Sequence, residues 1–162
     1  MRKIPAAVHL VFLLGVSATP VAAKFPSMPK ELQGIWMDDS GEGRAQCRAY
    51  KAEKGTEAAR NYLVGSEVIS RKMLHSYSEY GEGNFYRPDQ IKSVGKKSWT
   101  VKATLGLDQP PGDENQVDAE MKLSLKNGKL TSRFVAIGGK ASDETASVYF
   151  RCADVPAGMY GG

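Results

Sequence analysis

From Val117 to Lys126 the chain alternates strictly. Val117, Ala119, Met121, Leu123 and Leu125 are apolar, while Asp118, Glu120, Lys122, Ser124 and Lys126 are polar. A period of two marks a half-buried strand. Asn127-Gly128 follows at once, and both residues tolerate the positive φ of a two-residue hairpin turn, so Lys129–Ile137 is predicted to return antiparallel. The same alternation places Trp99, Val101, Ala103 and Leu105 on one face, with Thr100, Lys102 and Thr104 on the other. Phe85–Val94 reads as its partner across Gly95-Lys96-Lys97, and Tyr62–Ser70 and Arg71–Tyr80 as neighbours upstream. Tyr80-Gly81-Glu82-Gly83-Asn84 is a turn, Leu32–Met37 a short first strand and Thr145–Cys152 the last, reached through Gly138-Gly139. In that last strand Ala146, Val148, Phe150 and Cys152 share a face.

Between the first two strands, residues 38–44 are Asp-, Gly- and Ser-rich and read as a loop. Ala45–Arg60 is rich in Ala, Glu, Lys and Arg, which favours one short helix, weakened by Gly55. Seven or eight short strands joined by hairpin turns, with no βα alternation, argue against a parallel sheet. The expected fold is mainly β, a small antiparallel up-and-down barrel that removes exposed edges by closing on itself. A two-sheet sandwich is the alternative. Val101, Leu105, Val117, Met121, Leu123, Leu125, Val148 and Phe150 are the expected inward set, large enough to fill a small barrel.

The N-terminus changes the picture. Arg2 and Lys3, an apolar stretch from Ala6 to Val16, and small residues at Val21 and Ala23 predict a signal peptide over residues 1–23. The apolar stretch is shorter than the roughly 20 residues of a membrane span, and no second one exists, so the chain is expected not to span a membrane. Residues 24–31 then form an extended lead-in, 32–152 the barrel and 153–162 a flexible, Gly-rich tail. Export makes the location periplasmic or secreted, and turns the two cysteines, Cys47 and Cys152, into an expected disulfide. It also lowers the formal charge from +4 to +2, because the leader holds two basic residues and no acidic one. With the remaining charges interspersed along the chain, no nucleic-acid partner is expected, and Lys92, Lys96, Lys97 and Lys102 read as the solvated side of a hairpin.

Gly34-x-Trp36 on the first strand, with Arg151 beside Cys152 near the end of the last, resembles the lipocalin-like arrangement. The chain is similar to small exported bacterial barrels that begin Gly-x-Trp and end in an aromatic-Arg-Cys strand. The resemblance implies that Trp36 packs at the closed end and that Arg151 lies across its ring, a cation–π contact. Some barrels of this kind, the periplasmic metalloprotease and lysozyme inhibitors, bind proteins.

Chemistry is sparse. His75 is the one histidine beyond the leader, and a lone strand histidine is usually structural. No Gly-x-Ser-x-Gly elbow is present, and no cofactor or metal site is expected. Asp108, Asp113, Glu114, Asp118 and Glu120 surround Pro110-Pro111-Gly112, but their spacing fits no EF-hand. Tyr77, Tyr80, Phe85 and Tyr86 flank the Gly-Glu-Gly turn and are the candidate partner-binding residues, since tyrosine offers large contact area at low entropic cost. The expectation is a non-enzymatic exported protein that binds another protein, a protein inhibitor being one form. A carrier of a small apolar ligand and an envelope structural or stress protein are the alternatives.

Overall fold

The computed structural model describes residues 25–112 and 116–161; the expected leader, Lys24, Asp113 and Glu114 lie outside them. Among the described residues nine strands form one antiparallel sheet: β1 (Gly34–Asp38), β2 (Glu67–Ile69), β3 (Leu74–Tyr77), β4 (Gly83–Gly95), β5 (Ser98–Leu107), β6 (Val117–Lys126), β7 (Lys129–Ile137), β8 (Lys140–Ala141) and β9 (Ser147–Ala153). The order β6-β5-β4-β3-β2-β1-β9-β7, with β6 also pairing β7, closes eight of them into a barrel. The two-residue β8 only extends the edge of β7. Expectation and structure agree residue for residue at β6 and β7, where Asn127 and Gly128 both adopt positive φ. The barrel, and not the sandwich, is the observed fold.

Helix α1 (Gly41–Ala52) begins four residues before the predicted start. Ser40 caps it, its hydroxyl accepting from the Gly43 N–H at 3.1 Å, so the Gly- and Ser-rich segment starts the helix instead of forming a loop. Gly43 also lets the helix press onto β1: a Cβ there would stand 2.1 Å from the Asp38 carbonyl oxygen. The helix stops at Ala52, ahead of Gly55 at φ 96°, and residues 57–63 form a separate 3-10 segment.

Because α1 covers one stretch of the outer wall, β1 is buried on both faces and, with the Phe150–Ala153 part of β9, separates two cores. Inside the barrel, Trp36, Tyr86, Trp99, Met121, Leu123 and Leu130 pack together. Outside it, Ile35, Met37, Cys47, Tyr50, Leu63 and Cys152 form a second cluster beneath α1. The Cys47–Cys152 disulfide joins α1 to β9 within this outer core, with a Cα–Cα distance of 5.6 Å. The expected inward set is corrected at β9. Phe150 and Cys152 do share a face with Val148, but it is the outer one, with Val148 39% exposed and Phe150 against the outer core. Tyr149 takes the inward place.

One end of the barrel is plugged by the lead-in. Met28 and Leu32 are buried in the inner core, the Met28 N–H donates to the Arg71 carbonyl, and the Trp36 indole N–H donates to the Leu32 carbonyl at 2.7 Å. Trp36 thus reaches to the closed end. Arg151 stands opposite Trp36 in the β1–β9 register. Its Nε lies 2.7 Å from where a Gly34 Cβ would be, and its guanidinium donates to the Gln33 carbonyl and to Asp154. Gly34 therefore makes room for the arginine. Among the described residues, the arginine–ring contacts are Arg44 over Phe150 and Arg87 over Phe25.

The tail is also corrected. Val155, Met159 and Tyr160 pack against the outer core instead of trailing free, and Tyr160 Oη lies 2.5 Å from His75 Nδ1.

Candidate functional site

The other end of the barrel is its mouth, ringed by the β3–β4, β5–β6 and β7–β9 connections. The four aromatic candidates separate there. Tyr86 is buried in the inner core, Tyr77 in the outer one, and Phe85 is buried against the His75 ring at 3.7 Å. A strand that borders two cores buries the aromatics of both its faces, which removes these three as direct anchors. Tyr80 alone of the four projects, 95% exposed and held at φ 57° at the tip of the turn.

His75 is fully engaged. Its Nε2–H donates to the Glu82 carbonyl at 2.8 Å, so Nδ1 is the acceptor for the Tyr160 hydroxyl. Burial holds its pKa below the usual histidine value, against the raising effect of the Glu82 hydrogen bond. Both nitrogens serve to tie the tail to the β3–β4 connection.

Sequence reasoning missed a different group. Glu67 lies opposite Trp36 on one side and Ser76 on the other, so its side chain enters the barrel. It is buried, at 5% exposure. Oε1 accepts from the Ser76 hydroxyl at 2.8 Å. The Tyr149 hydroxyl stands close enough to favour the carboxylate, yet its geometry leaves Oε2 without a hydrogen bond. Burial outweighs both hydroxyls and pushes the carboxyl up to about 7. In turn, burial first and the Glu67 charge second push Tyr149 up to about 12 and raise Tyr86 as well.

Glu67, Ser76, Asn84, Asp108 and Tyr149 line an open depression of about 500 Å³ at the mouth, and no lysine or arginine lines it. The loop geometry supports this arrangement. Asp108, at φ 59°, accepts from the Gly83 N–H, and a Cβ on Gly83 would stand 2.2 Å from the Ser76 carbonyl oxygen. The walls therefore offer carboxylate, hydroxyl and carbonyl acceptors. They suit a ligand that brings hydrogen-bond donors or positive charge. The lone signal in the sequence was a carboxylate next to Val68 and Ile69 in an otherwise apolar run, which the three-residue length of β2 made hard to assign to a face.

Among the described residues, no group of three or more His, Cys, Asp or Glu side chains is placed to hold a metal, and no helix is long and apolar enough to cross a membrane. No family model, curated protein or solved structure is significantly similar to the chain.

Proposed function

We propose that this chain is a non-enzymatic binding protein that works outside the cytoplasm, in the periplasm or after secretion, and takes a donor-bearing, cationic group of a partner protein into the mouth of its barrel. The observation that carries the reading is Glu67: a buried carboxylate with an unpartnered oxygen, lining an open, acceptor-rich depression. Burying such a group without a partner costs stability that folding alone does not recover. Tyr80, exposed beside the mouth, supplies an aromatic surface for the same partner. The disulfide agrees with an oxidising compartment. The engagement of both His75 nitrogens agrees with a non-catalytic role. Kinship with the exported inhibitor barrels is part of this proposal and rests on Gly34, Trp36, Arg151 and Cys152. The apolar-carrier alternative is less favoured, because Trp36, Tyr86, Met121 and Leu123 occupy the barrel interior and the open depression is polar.

The test is titration of the ¹⁵N-labelled domain with a lysine-centred tripeptide and with its norleucine counterpart. The proposal expects amide shifts at Gly65, Gly83 and Asn84 with lysine only, lost in Glu67→Gln. Equal shifts with both peptides, or none with either, would overturn it. Tyr80→Ala, at an exposed side chain, leaves stability within about 0.5 kcal/mol and is expected to weaken capture of a partner from envelope extract.

A further inference from the structure

The charges that alternate along the sequence segregate in space. Lys92 lies opposite Thr100, Thr100 opposite Lys122, and Lys122 opposite Arg133, so one outward row across β4, β5, β6 and β7 carries three cations and no acid. At a strand spacing of about 4.8 Å this row is roughly 14 Å wide. One step closer to the plugged end, the Leu125 N–H donates to the Lys97 carbonyl, which draws the Lys96-Lys97 turn alongside Lys126. Lys126 in turn faces Lys129 across the hairpin. Lys92, Lys96, Lys97, Lys122, Lys126 and Arg133 are all exposed. Lys129 is held by Asp39, whereas the salt bridges among the described residues include none of the other six. The nearest acid along β6 is Glu120, one step toward the mouth and opposite Lys102.

Like charges directly opposite each other weaken a strand pair, and this wall contains two such pairs, Lys122–Arg133 and Lys126–Lys129. The first has no acid beside it and the second is relieved only at Lys129, by Asp39; an anionic partner would offset both. The wall is the smooth outer face of a sheet, and its outward positions between the cations are Val94, Ser98, Thr100, Ser124 and Thr131, with no aromatic on which a base could stack. At the β4–β5 tip, Val94 is 56% exposed between Lys92 and Lys96, an apolar point among cations. Broad positive charge with an apolar tip is the chemistry of an interfacial contact.

We infer that this wall docks the barrel on an anionic lipid surface, with the plugged end against the headgroups and the mouth turned away from them. The inference is independent of what the mouth takes.

The test is co-sedimentation of the domain beginning at residue 25, which holds all the described strands, with vesicles of phosphatidylcholine alone or with about 30% phosphatidylglycerol, at low salt. Binding is expected to the anionic vesicles only and to be released as salt is raised. Two triple variants separate the wall from net charge: Lys96→Gln, Lys97→Gln, Lys122→Gln on the wall, and Lys51→Gln, Lys54→Gln, Lys140→Gln away from it. At about five-fold per charge, the wall variant should bind about a hundred-fold more weakly and the other within a few-fold of the parent. The wall variant should melt no lower than the parent, since Lys122 no longer opposes Arg133. No binding to anionic vesicles, equal losses in the two variants, or tighter binding to duplex DNA or to polyglutamate at matched charge would overturn the inference.

Discussion

Glu67→Gln tests the central electrostatic claim. In the folded chain the Glu67 carboxyl titrates at about 7, against 4.5 for an unperturbed glutamate. Between those values the native protein holds a proton that the unfolded chain releases, so stability falls as pH rises through the window. At about 1.4 kcal/mol for each tenfold in acidity, the loss from pH 4.5 to pH 8 is on the order of 3 kcal/mol. Glutamine cannot ionise and keeps an oxygen for the Ser76 hydroxyl. It should therefore match the parent near pH 4.5 and be more stable than it by about 2–3 kcal/mol at pH 8. Urea unfolding followed by the fluorescence of Trp36 and Trp99 at several pH values measures this. His75 is common to both proteins, so its titration cancels in the difference. A glutamine variant less stable than the parent at pH 8, or a pH-independent difference, would refute the reasoning.

Three other outcomes are expected. Gly43→Ala places a methyl group 2.1 Å from the Asp38 carbonyl oxygen, so despite the better helix propensity of alanine it should cost about 1–3 kcal/mol in chemical denaturation. Replacing Cys47 and Cys152 together with alanine opens a 105-residue connection and should lower stability by about 2–5 kcal/mol, read by the same assay. Tyr160→Phe leaves His75 Nδ1 buried without its donor, at a cost of about 1–2 kcal/mol. In Glu67→Gln, where the opposing Glu67 titration is removed, stability should fall as pH drops below 6.5, because burial depresses the His75 pKa and the unfolded chain takes up the proton first. His75→Phe should flatten that acid limb.

Alternation in the sequence tells which residues share a face, not which face is inside. Where one face meets solvent, as in β6, the polar set settles the matter, and the strand was legible to its last residue. At β9 the outer face is apolar as well, with Phe150 and Cys152 in the outer core, so the pattern does not tell that Val148 and Phe150 face outward. Tyr77 on β3 and Phe85 and Tyr86 on β4 are buried although they sit beside a glycine-rich turn, because these strands carry packed side chains on both faces. The tail read as free because its composition is that of a linker, yet a single hydroxyl on His75 is enough to seat it. Glu67 was invisible for a related reason: the three residues of β2 are too few to show a period. Lys92, Lys96 and Lys97 are exposed on the β4–β5 hairpin, but their alignment with Lys122 and Arg133 is not legible in the sequence, because register across β4 to β7 sets the neighbours.

The ring closes between its first strand and its last, β1 against β9, and Cys47 finds its partner only in β9. A chain emerging N-terminus first therefore presents seven of the ring's strands before the eighth can seal it. Until then β1 has an open edge, and the early thiol has no mate with which to pair wrongly, since the protein holds only two cysteines. Assembly is timed by β9: the seam of the ring and the disulfide both wait on that one strand.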